Sequence, residues 1–148
     1  MVYPPLRKCT SPAEYRRHYE NVYCRGPIRT FDGIAVRFRK RDFNHCFFES
    51  TRRDGSKNVF SRKRAERMDW IKTALQDPNS ERYQGWDRVR KRYDKTRRVV
   101  VVMGNYVVVI ALTGSKTADF VTAYVADTPG RPGQPSTIDK IRSSPKWV

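Results

Sequence analysis

The sequence predicts an α+β fold, and three observations carry that reading. An alternating hairpin pattern comes first, over residues 28–39. A single helical period follows over 61–76, and three strand patterns then come in a row, over 96–103, 106–112 and 118–126. Strands gathered after a helix, rather than interleaved with helices, point to an antiparallel meander with the helical part packed against it. At 148 residues the chain is one domain whose core needs no metal or disulfide staple.

Each element has a local reason. Residues 1–25 read as an N-terminal arm, with Pro4, Pro5 and Pro12 and a short candidate helix over 13–19. In the hairpin, Asp32-Gly33 supplies a tight turn, and Ile34, Val36 and Phe38 alternate with Ala35, Arg37 and Arg39. One face is apolar and the other cationic. Phe43, Phe47 and Phe48 anchor residues 41–50 to a core, and 51–58 form a polar loop around Asp54-Gly55. In the helix, Ala65, Met68, Ile71 (or Lys72) and Leu75 recur at helical spacing. Ser61 is its N-cap, and Asp77 ends it because the residue before Pro78 avoids the α region. Arg62, Lys63 and Arg64 crowd the first turn, where the macrodipole disfavours cations. Either a bound phosphate offsets that cost or the side chains swing into water.

Residues 78–93 mix turn formers with Tyr83, Trp86, Val89 and Tyr93, and a second short helix is one option there. Across the Gly104-Asn105 turn, the unbroken valines suit strands covered on both faces. Gly114-Ser115-Lys116 leads into the last strand, where Phe120, Thr122, Tyr124 and Ala126 are expected in one row. Residues 128–148 form a Pro/Gly-rich tail, with one helical turn over 138–142 and Trp147 to tack it down.

Lys and Arg number 31 against 15 Asp and Glu, a formal charge of +16. Charge of that size repels itself in the compact state unless a polyanion or an acidic protein offsets it, and nucleic acid is the default partner. Cys9, Cys24 and Cys46 form no CxxC pair, and an odd count suits a reducing compartment. The spacing of His18, Cys24, His45 and Cys46 matches no zinc pattern, so no metal and no cofactor is expected. The N-terminus lacks the apolar core of a signal peptide. The apolar segment 99–112 is too short to span a bilayer. No membrane partner is therefore expected, and the expected location is cytoplasmic, including delivery into a target cell's cytoplasm.

The chemistry centres on His45, in the run Asn44-His45-Cys46-Phe47-Phe48-Glu49-Ser50. Histidine carries protons near neutral pH. Cutting RNA requires a base for the 2′-hydroxyl proton, an acid for the leaving 5′-oxygen, and cations on the phosphoryl oxygens. The nucleophile already belongs to the substrate, so proximity supplies much of the gain without a metal. Glu49 lies one helical turn beyond His45 if the segment is helical. Thr122 and Tyr124 offer hydroxyls. A histidine among phenylalanines also suits a packed core, and a Thr and a Tyr are ordinary strand formers.

His45 in this run ahead of the helix, the Val121-Thr122-Ala123-Tyr124 strand, and the helix end at Leu75-Gln76-Asp77-Pro78 carry a resemblance. Over residues 26–127 the chain resembles the small metal-independent ribonucleases of the BECR fold: barnase, the EndoU nucleases, the colicin tRNA nucleases and RelE. It is most similar to the phage-borne and polymorphic-toxin branches. The resemblance implies a ribonuclease-like domain at 26–127, with helices packed on a curved antiparallel sheet of about four strands and the active site on the open face. It implies a toxin that cleaves structured RNA, such as tRNA, to a 2′,3′-cyclic phosphate, and it carries over His45, Thr122 and Tyr124. Arg98, ahead of Arg97, is the candidate cation for the phosphate.

Substrate binding is expected on Arg39, Lys40, Lys57, Arg62, Lys63, Arg64, Arg67, Lys91 and Arg92. Tyr83, Trp86 and Tyr93 either stack unpaired bases or belong to the core, the latter the stronger reading for Trp86 and Trp70. An acidic antitoxin or immunity protein is the expected inhibitor. The alternative is a non-catalytic basic nucleic-acid-binding protein of phage or plasmid origin.

Overall fold

In the computed structural model, residues 2–50 and 59–147 are described. The polar loop expected over 51–58, with Lys57, lies outside the described residues. Helix α1 (Pro12–Tyr23) starts where the Ser11 hydroxyl accepts the Glu14 amide. Tyr15, Tyr19 and Tyr23 recur every four residues and are fully buried. Their hydroxyls donate to the carbonyls of Arg7, Arg39 and Met68. Burying three tyrosines on one stripe, each with its polar tip satisfied, makes α1 part of the core rather than a loose arm.

Strands β1 (Ile28–Arg29) and β2 (Ala35–Arg37) form the expected hairpin, with Gly33 at φ +87° in the turn. Ile34, Val36 and Phe38 are buried, as their alternation requires. Helix α2 (Asp42–Phe47) runs into β3 (Phe48–Glu49), which pairs with β4 (Val59–Phe60) in a small second sheet. The helix expected over 61–76 is two pieces, α3 (Arg62–Glu66) and α4 (Met68–Gln76), broken at Arg67. Ser61 caps the first, accepting the Arg64 amide, and Asp77 in extended conformation ends the second.

The main sheet combines β1 and β2 with β5 (Glu81–Asp87), β6 (Arg92–Val102), β7 (Tyr106–Leu112) and β8 (Thr117–Val125). Its order is β1-β2-β8-β7-β6-β5. The α+β class holds, but the sheet has six strands and is mixed, because β2 pairs parallel with β8. Segment 81–87, open to a helical reading in sequence, is edge strand β5.

The valine runs are covered on both sides, as expected. Val100, Val102 and Val108 face the helices, while Val101, Val107 and Val109 form a second core. That second core is closed by Ile138 and Ile141 of α5 (Thr137–Arg142). The tail is thus a covering layer. Trp147 donates its indole N–H to the Lys95 carbonyl, and its backbone amide bonds Arg82.

Candidate functional site

The site builds outward from β8. A bulge sets its faces: Val109 pairs with Thr122 but Ile110 with Phe120, leaving Val121 as the extra residue. The row expected from simple alternation is therefore split. Phe120 stacks on Phe38 in the helix-side core, at 4.6 Å between ring centroids. Tyr124 and Ala126 belong with the second core. One inserted residue moved every later side chain to the other face.

Helix α2 is clamped onto this segment by Cys46. Its buried thiol donates to the Ala123 carbonyl at 3.4 Å and accepts the Ala123 amide at 3.3 Å. Burial pushes the thiol up to about 11, against hydrogen bonds from Ala123 and Thr122 that pull it down. That thiol is inert as a nucleophile and serves as a pin. It holds α2 against the residue lying between Thr122 and Tyr124.

His45, next to the pin, is exposed and makes no hydrogen bond or ion pair among the described residues. The helix ends at Phe47 and Phe48 is extended, so Glu49 does not lie one helical turn from the imidazole. Glu49 instead pairs with Arg64, at 3.3 Å from Nε to Oε1.

Arg64 is the hub. Besides Glu49, its Nη1 donates to the Cys46 carbonyl at 3.1 Å, and its guanidinium carbon lies 5.6 Å from the centre of the Tyr124 ring. One cation joins α2, β3, α3 and β8. Burial raises the Tyr124 hydroxyl, and Arg64 pulls the other way. The Tyr124 hydroxyl makes no hydrogen bond among the described residues. Glu49, Lys63, Arg64 and Tyr124 line one cleft of about 240 Å³. Lys63 is ion-paired there with Asp127. His45 and Thr122 do not line it.

Arg98 sits elsewhere. It is 1% exposed, and its guanidinium bonds both carboxylate oxygens of Asp32, at 3.1 and 2.7 Å, under the Trp147 ring at 3.8 Å. Burial would raise Asp32, but the Arg98 and Thr30 hydrogen bonds hold it at about 2. A guanidinium committed in this way is not free to take a phosphate, and Arg64 is the arginine beside Tyr124.

The remaining cations divide by what they touch. Arg39 shares Asp119 with Arg37. Arg62 donates to the Cys9 carbonyl and Arg67 to that of Lys63. Lys40, Lys91 and Arg92 are exposed without ion pairs among the described residues. Tyr83 is in the second core, whereas Trp86 is half exposed, the reverse of the expectation for Trp86.

Sequence reasoning placed Arg64 in the binding surface but not at the centre. The available signal was Ser61, whose cap fixes the first turn and so the direction of Arg64. Among the described residues, no helix is long and apolar enough to cross a membrane. Comparison with protein-family models, curated proteins and solved structures finds no match.

Proposed function

We propose that the protein is a metal-independent endoribonuclease of the toxin type, acting on structured RNA such as tRNA in a cytoplasm. The observation that carries the reading is the Arg64 hub beside the Cys46–Ala123 clamp. Together they bring a carboxylate, a guanidinium, an ammonium and a tyrosine into one cleft, with an imidazole that has no partner among the described residues one position from the clamp. The 2′-hydroxyl attacks phosphorus, its proton passes to a base, and the O5′ bond breaks with a proton delivered to the leaving oxygen. The products are a 2′,3′-cyclic phosphate and a 5′-hydroxyl. Arg64 and Lys63 offset the charge gathering on the phosphoryl oxygens. His45, exposed to solvent, serves as a proton carrier. Glu49 is the other candidate base, and its ion pair with Arg64 must loosen when phosphate arrives. An acidic inhibitor would associate quickly with the +16 surface.

The test is incubation with total tRNA in excess chelator, followed by mapping of new ends. New 5′-hydroxyl ends are expected, and His45→Ala should slow their appearance by on the order of 10²-fold or more. An unchanged rate removes His45 from the mechanism.

A second reading, a non-catalytic nucleic-acid binder, is favoured by one observation. His45 does not line the cleft, whose cations are already paired with Glu49 and Asp127. Salt-dependent binding, with a slope of roughly 0.7 per phosphate contacted and the RNA left intact, would establish it.

A further inference from the structure

We propose that the β5–β6 hairpin is a base-stacking finger, so that the RNA engaged by this protein presents an unpaired nucleotide beside the phosphate held at Arg64. The inference rests on the proposed RNA-binding reading and names the substrate class: single strands or loops rather than continuous duplex.

Trp86 and Tyr93 stand directly opposite each other across the two strands. Their rings meet edge to face at 5.0 Å, and they are 48% and 38% exposed. An aromatic pair this open contributes little to the core, while unpaired bases gain most from such a surface. The pair also has a place to lead. With Val99 and Tyr124 it lines a cleft of about 420 Å³. Tyr124 lines the Arg64 cleft as well, so the two clefts share one wall, running from the aromatic pair to the cations.

The hairpin is aimed by its backbone. Gln84 pairs with Arg98 but Gly85 with Asp94, so residues 95–97 bulge out of register. A Cβ on Gly85 would lie 2.6 Å from that of Arg97, which is why the close approach at this kink requires glycine.

Charge fits an RNA strand. Residues 85–97 carry six cations against two carboxylates. Asp87 accepts the Val89 and Arg90 amides, and Asp94 accepts that of Thr96, so both acids serve the turns. Arg88, Lys91, Arg92, Lys95 and Arg97 have no carboxylate partner among the described residues.

The experiment titrates the full chain with a short single-stranded RNA carrying 2′-O-methyl groups, which blocks turnover. Tryptophan emission and affinity are both read. Trp86 is the reporter, identified as the source of the quenching that Trp86→Ala removes; the Trp70 indole is hydrogen-bonded to the Pro4 carbonyl, and Trp147 packs against Arg98 and donates to the Lys95 carbonyl. Quenching on binding is expected. Trp86→Ala and Tyr93→Ala should each weaken single-strand binding roughly 10-fold. The same variants should leave binding to a perfect duplex and to heparin, a polyanion without bases, unchanged. Equal losses on all three probes, or none on the single strand, would overturn the proposal. Both side chains are exposed, and an unchanged melting temperature checks that the variants fold. If chelator-resistant cleavage of tRNA is absent while this discrimination persists, the nuclease reading fails and the stacking finger stands.

Discussion

Removing Asp32 should cost more than removing its partner Arg98. The guanidinium is 1% exposed, donates two charge-assisted hydrogen bonds to one carboxylate, and has an Nε without a partner among the described residues. In Asp32→Ala the cation stays behind, buried against the Trp147 ring with no counter-ion. Breaking a buried pair by deleting one partner costs about 3–5 kcal/mol. The Asp32 side chain is 32% exposed, so water reaches one side of the pair and the lower end, about 3 kcal/mol, applies. For a domain of this size that is a fall of roughly 6–12 °C in melting temperature. Arg98→Met removes the buried charge and leaves a carboxylate that water can solvate, so its cost should be smaller, about 1–2 kcal/mol. The double variant should then be more stable than Asp32→Ala alone. Urea unfolding with unchanged slope measures all three. If Asp32→Ala unfolds within about 0.5 kcal/mol of the parent, or Arg98→Met costs more than Asp32→Ala, the buried-cation argument fails.

Three further outcomes follow. Asp32 titrates lower in the folded chain than its ordinary value, so its contribution is present above about pH 4 and fades as pH falls toward 2. Discounted for exposure it is about 1–2 kcal/mol, and urea midpoints across that window should fall more steeply for the parent than for Asp32→Ala. Ser61→Ala should cost about 1 kcal/mol by losing the cap on the Arg64 amide, and calorimetry would show it. Cys46→Ala should destabilise by about 1–2 kcal/mol, since it empties a buried site and unties the Ala123 amide and carbonyl. If α2 is held for function by that thiol, the variant should also lower RNA cleavage at a temperature where it remains folded.

Local rules were legible in the chain. Alternation set the buried face of Ile34, Val36 and Phe38, helical spacing found Ala65, Met68, Ile71 and Leu75, and a hydroxyl at 61 marked a helix start. The unbroken valines correctly announced two covered faces. Each of these depends on neighbours within a few residues. Two of the misses involve distant partners. Residues 81–87 became a strand because β6 offered an edge to pair with, and a weak local preference yields to a ladder of backbone hydrogen bonds. Phe120 and Tyr124 ended on opposite faces through a bulge that nothing local encodes.

The same division holds for the site. Composition alone determined the formal charge of +16, because excess charge needs no fold to be counted. Pattern alone brought forward His45, Thr122 and Tyr124 as chemistry-bearing residues. Which arginine stands beside Tyr124 was decided only in three dimensions. Arg98 lies in a strand whose face is buried, where a guanidinium must find a carboxylate, and the hairpin turn supplies Asp32. Arg64 lies in the first turn of α3, from which its long side chain reaches the Cys46 carbonyl, Glu49 and the Tyr124 ring together. The two residues are chemically identical, and burial and available partners, set by the packing of segments far apart in the chain, gave them different work.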